Sequence, residues 1–181
     1  MNSRNFHATV AAVAGLAFLI VMVVLGALPE QRQLVKFEAR GVMKLEPDLV
    51  TRVEIHQGES KAVLLRAHGG SWVAERGGAL SAELSKKISL AVQFMNTAGP
   101  IRIIEAADLQ GANLRDFGLD PPTLSVGLFQ GAQAVIGVGF GTHNPEDIAQ
   151  YMMVDGNREL VLMSRFVGQE WESVAGGVLA K

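Results

Sequence analysis

His143, Asn144, Glu146 and Asp147 place an imidazole, an amide and two carboxylates within one short polar segment. These are metal-ligand types, and they would suit a divalent cation if several converged and outer hydrogen bonds oriented them. Polar residues in such a loop usually face water, so no metal is expected. His56 and His68 fall on or beside predicted strands, where an imidazole is normally a surface residue. Glu54, Glu75, Asp108 and Asp116 sit in separate elements, so no paired carboxylates emerge. A Gly-x-Ser-x-Gly nucleophile elbow is missing. A hydrolase would need His56, His68 or His143 within hydrogen-bond reach of a serine or carboxylate in a cleft. No catalytic residue and no cofactor is assigned.

Gly137-Val138-Gly139-Phe140-Gly141 invites a dinucleotide reading, but the Rossmann spacing needs glycine at 142, which is Thr142. The run is expected to ease a strand exit or bulge. Asp155-Gly156-Asn157 lacks the remaining ligands of a calcium loop and reads as a turn. Trp72 and Trp171 are expected to be core anchors. The chain has no cysteine, which excludes disulfides, cysteine-bound zinc, a thiol nucleophile and a lipid-modified N-terminus. Its formal charge of −2 with mixed signs gives no basic stripe for nucleic acid.

The elements that would position these residues follow from hydrophobic period. Val53 and Ile55 alternate with polar neighbours as a half-buried strand, and residues 61–67 and 71–76 make two more, joined by Gly-containing turns. Ser81 caps a helix whose Leu84, Ile88, Ala91 and Met95 share one face, and Gly99-Pro100 ends it. Residues 101–105 read as a short strand or link, and 109–117 as a short helical turn closed by Gly118. Two hairpins follow, 123–140 and 151–163, the second turning at Asp155-Gly156. A last helix over 165–174 should end at Gly176-Gly177. Strands, helix, strands, helix predict an α+β domain with an antiparallel sheet. Each half looks like strand hairpins followed by a helix, without a residue-level repeat.

Residues 8–28, ATVAAVAGLAFLIVMVVLGAL, form a 21-residue stretch without a charge. As a helix it would be about 31 Å long, enough for a bilayer core of about 30 Å. It is longer than a signal-peptide core and lacks a clean cleavage site, so a retained transmembrane anchor is expected. The expected organisation is a cytoplasmic tail at 1–7, the anchor at 8–28, a connector at 29–49 and the α+β domain at 50–181. Small residues at helical spacing, Ala8 with Ala12 and Ala11 with Gly15, could pack against a partner helix. Arg32, Lys36 and Arg40 after the run outnumber Arg4 before it, so the positive-inside count does not favour an inside N-terminus. The arrangement of a short tail and one apolar helix still resembles an uncleaved signal anchor, with the domain in the periplasm.

The most distinctive piece of the domain is Phe117-Gly118-Leu119-Asp120-Pro121-Pro122, followed directly by an alternating strand. Gly118 can reverse the chain, Asp120 can bond nearby backbone N–H groups, and the prolines force an extended entry. With Trp72 in Gly-Ser-Trp-Val, the Gly137–Gly141 run, Tyr151-x-x-Val-Asp155-Gly156 and Leu-Val-Leu-Met before the last helix, it resembles a bacterial domain-of-unknown-function family, number 4340. Members of that family are typically envelope proteins with one N-terminal membrane helix, many encoded beside gliding-type ABC exporters. The resemblance covers roughly residues 50–174. It implies a non-catalytic accessory role, with a membrane and an envelope protein complex such as an ABC transporter as partners, and supplies no catalytic residues. Larger members carry several copies of the domain, where this chain has room for one. A periplasmic ligand-binding or maturation factor for an exported enzyme is the alternative, and predicts a concave apolar pocket with a few polar groups.

Overall fold

A computed structural model describes residues 13–22, 41–109, 111–157 and 159–179. The chain divides into two units, Met1–Glu38 and Ala39–Lys181. In the first, residues 13–22 are helical (α1), and the rest of the expected anchor lies outside the described residues. Among the described residues no helix is long and apolar enough to cross a membrane.

The second unit is an α+β domain built on one open, antiparallel, nine-stranded sheet. Its strands are β1 (Arg52–Gln57), β2 (Ser60–Arg66), β3 (Trp72–Ala74), β4 (Gly78–Ala79), β5 (Arg102–Ile104), β6 (Leu124–Gln130), β7 (Gln133–His143), β8 (Ala149–Val154) and β9 (Leu160–Ser164). Helix α2 (Ala82–Thr97) follows β4 and helix α3 (Arg165–Leu179) follows β9. The spatial order is β4-β3-β2-β1-β6-β7-β8-β9-β5. Two four-stranded meanders therefore meet at their first strands, where Val53 pairs with Leu128 and Ile55 with Val126. Each meander is followed by a helix, so the expected hairpin-then-helix likeness of the halves holds in element order, with β5 added at one outer edge.

The period-2 pattern puts one face of this sheet into the core. Val53, Leu64, Leu128, Val126, Val138, Phe140 and Met152 are buried and occupy matching register positions. Ile88, Ala91, Val92 and Met95 of α2 and Val167, Trp171, Val174 and Ala175 of α3 cover them. The helices run antiparallel to each other: the Phe94 and Phe166 rings meet edge-on at 4.9 Å, and Lys87 Nζ donates to Ser173 Oγ further along. Ser81 starts α2 as expected, its Oγ accepting from Leu84 N at 3.2 Å.

Several boundaries differ from the sequence reading. The expected connector at 29–49 is already domain by Gly41: Gly41 N and Met43 N donate to Asn96 O and Met95 O, and Met43 is buried. The buried Asn96 amide donates to Met43 O and Leu45 O, fixing this segment against the end of α2. Helix α3 does not stop at Gly176-Gly177. It runs to Leu179, and a Cβ at Gly177 would sit 2.8 Å from Leu84 Cδ1, so the glycine serves close approach of the two helices. The third strand is shorter than expected, and β4 was not legible. The helical turn at 109–117 contracts to a 3-10 turn at Leu114–Phe117, capped by Asn113 and closed by Gly118 at φ 66°.

Candidate functional site

Most of the resemblance residues, namely Phe117–Pro122, the glycines of the Gly137–Gly141 run, Tyr151 and Asp155, pack together on the sheet face opposite the helices, whereas Trp72 lies on the helix side. Phe117 meets Tyr151 edge-on at 4.8 Å, and Leu119 is buried. The reason for the Gly137–Gly141 run lies here. A Cβ at Gly141 would collide with Phe117 O, and one at Gly139 would sit 3.0 Å from Pro122 Cβ. A Cβ at Gly137 would collide with the Asp155 carboxylate. The glycines are the floor on which the Phe117–Pro122 loop and the Asp155-Gly156 turn rest. They do more than ease a strand exit, although β7 is irregular between Phe140 and His143. Asp120 pairs with Arg115 at 3.5 Å, a partner the sequence reading missed, and the Asp120–Pro121 peptide is cis. Trp72 is buried in the core, with its indole N–H donating to Ser89 Oγ at 3.0 Å. Gly15 has open space around it, and Ala8, Ala11 and Ala12 lie outside the described residues.

The chemically richest cluster is built on the loop between β7 and β8. Asn144 Oδ1 accepts from Ile148 N (3.0 Å) and Ala149 N (2.9 Å), which folds residues 144–149 into a tight turn. Asp147 takes a left-handed backbone conformation, φ 57°. Its carboxylate is held by Arg165 from α3 and stands 3.0 Å from His143 Nδ1. With its amide oxygen toward Arg165, Gln169 accepts from Nε and Nη2 of the same guanidinium. His143 Nε2 is buried, makes no hydrogen bond, and lies 4.0 Å from Glu172 Oε1. Gln150, 1% exposed, donates from Nε2 to Gly141 O (2.9 Å) and Glu172 Oε1 (3.1 Å). Its Oε1 has no hydrogen-bond partner and rests against Gly168, where a Cβ would collide.

This arrangement meets one geometric requirement for acid–base chemistry, since His143 is within reach of a carboxylate. It lacks the other, because Nε2 points at the Glu172 carboxylate and not at a serine or open cleft. Charge links the loop to α3 through Asp147–Arg165 and, when His143 is protonated, through Asp147–His143–Glu172. Among the described residues no group of three His, Cys, Asp or Glu could hold a metal ion. Gln150, Arg165, Gln169 and Glu172 come from β8 and α3, and no sequence spacing announced them. Of the other histidines, His56 Nε2 stands 3.8 Å from Glu54 and is paired in register with Ser125. His68 lies exposed in the turn before β3.

A cleft of about 610 Å³ lies between the β1–β2 end, the β3–β4 turn and the end of α3. Ala62, Val63, Leu80 and Val178 give it apolar walls, and Arg52, Glu54, Lys61 and Arg76 give it charge. Lys61 Nζ donates to Glu54 at 3.0 Å, and this bond, ahead of the opposing effect of burial, holds the Glu54 carboxyl below its ordinary value. Arg52 also pairs with Glu54, at 3.5 Å, and stacks over Phe129 with its guanidinium carbon 4.0 Å from the ring centre.

No protein family model matches the chain, and neither a curated protein nor a solved structure does.

Proposed function

We propose that the chain is a membrane-anchored envelope module that acts by binding and not by catalysis, with its α+β domain in the periplasm as an accessory part of an ABC-type transporter or another envelope complex. The observation that carries this reading is α1. Val13, Leu16, Phe18, Leu19, Ile20, Val21 and Met22 are each more than half exposed, so the helix is apolar on every side. Such a helix is stable only inside a protein core or a bilayer. It lies within an uncharged stretch long enough to span hydrocarbon. The Phe117–Pro122 unit supports the accessory role through its resemblance to family 4340.

Alkaline carbonate washing of membranes carrying the full chain tests the anchor. The protein is expected to stay in the membrane pellet, and its release into the wash would overturn the reading. The cleft beside Glu54 favours a second reading, a periplasmic ligand-binding factor, which a thermal shift across a metabolite panel would reveal.

A further inference from the structure

Among the described residues, the domain exposes six large apolar side chains, and four of them gather at one corner. Ile103 (52% exposed) lies on the edge strand β5, and Ile101 (57%) directly precedes it. Ile148 (64%) tips the β7–β8 loop, and Phe166 (44%) stands in the first turn of α3. The backbone brings them together. Ile101 N donates to Leu162 O on β9, and Arg165 N, just after β9, donates to Ile148 O. The Asn144 and Asp147 contacts described above hold Ile148 in its outward position. A gathered apolar patch of this kind marks a surface that is covered in use.

The chain itself indicates the cover. It enters the domain at the same corner, where Gly41 N donates to Asn96 O, two residues beyond the Phe94 ring that touches Phe166. Only residues 29–40 lie between this point and the end of the apolar run at Leu28. Twelve residues reach at most about 40 Å, so a retained anchor would hold the point where the chain enters the domain within that distance of the bilayer.

We propose that Ile101, Ile103, Ile148 and Phe166 dock the domain onto the lipid surface at the boundary of headgroups and acyl chains. The inference rests on the anchor reading. Apolar burial at the interface, added to tethering, fixes which side of the sheet faces away from the membrane.

The chain has no native cysteine, so single reporters can be placed in the full protein. Leu19→Cys, Ile103→Cys, Ile148→Cys and Gln130→Cys are each labelled with a fluorophore in nanodiscs of phosphatidylcholine and phosphatidylglycerol. Quenching by acyl-chain nitroxides is then compared. The Ile103 and Ile148 reporters are expected to be quenched several-fold more than the Gln130 reporter. If both match Gln130 while Leu19 is strongly quenched, the anchor stands, lipid docking is overturned, and a protein partner becomes the occupant. If Leu19 also matches Gln130, the anchor reading and the docking fall together. The Ile148 reporter keeps the test decisive should Ile103→Cys disturb β5.

Discussion

Pro122 lies over Gly139 so closely that a Cβ on the glycine would stand 3.0 Å from the proline Cβ. The contact repeats at Gly141, where the obstacle is the backbone carbonyl of Phe117 and cannot swing aside. At Gly137 the obstacle is the Asp155 carboxylate, the end of a side chain in a turn. Gly141→Ala is therefore expected to destabilise the domain by about 1–3 kcal/mol, the usual cost of overpacking, and Gly137→Ala by clearly less. Urea midpoints of the two variants check the order, and a reversed order would show that the loop does not rest on β7 as described.

Trp72 joins β3 to α2 through two serines. Its backbone N–H donates to Ser85 Oγ at 2.8 Å and its indole N–H to Ser89 Oγ at 3.0 Å. Ser85→Ala strands a buried donor and is expected to cost about 1–3 kcal/mol. Trp72→Ala should cost about 3–5 kcal/mol by opening a core cavity. Thermal unfolding measures both, and a neutral Ser85→Ala would mean that water replaces the hydroxyl.

Asn144 makes the β7–β8 loop rigid with one oxygen. Asn144→Ala removes the acceptor for Ile148 N and Ala149 N and is expected to cost about 1–2 kcal/mol. Limited proteolysis should then cut between residues 144 and 149 faster than in the parent protein. Unchanged cutting would show that Arg165 and Asp147 suffice to hold the loop.

The Glu54 carboxyl is held below its ordinary value, chiefly by the Lys61 hydrogen bond. A depressed carboxyl adds stability above its unfolded value and loses it as pH falls through the folded one. Lys61→Met should thus lower stability modestly at neutral pH, and the difference from the parent should shrink as the solution is acidified below the usual glutamate range. Lys61 is half exposed, so added salt should shrink it too. A difference that does not change with pH would assign the effect to packing.

Much of the fold was legible because its signals are local. Alternation gave β1 and β6, a hairpin turn gave β7, Ser81 gave the start of α2, and Gly118 gave a left-handed reversal. What escaped depends on neighbours distant in sequence. Residues 41–49 looked like a connector because nothing nearby shows that Asn96 will receive Met43 and Leu45. Gly176-Gly177 looked like a helix end because Leu84 is far along the chain. Glycine run and Pro pair were both conspicuous, but their meaning is mutual and appears only when Pro122 and Gly139 are face to face. The polar cluster was half visible: His143 and Asp147 share a loop, whereas Arg165 and Glu172 arrive from a helix that the loop alone does not predict.

The meeting of the two meanders at β1 and β6 also orders events during synthesis. Arg52–His56 emerge early, and one side of β1 pairs at once with β2 through a short turn. Its other side pairs only with Ser125–Phe129, after α2 and β5 have been made. Until then the first half-sheet carries an unsatisfied strand edge, together with a hydrophobic face awaiting α3, and non-local pairing of this kind closes slowly. The future centre of the sheet thus stays an open strand edge until β6 has been made, and a folding helper would find its best handle there.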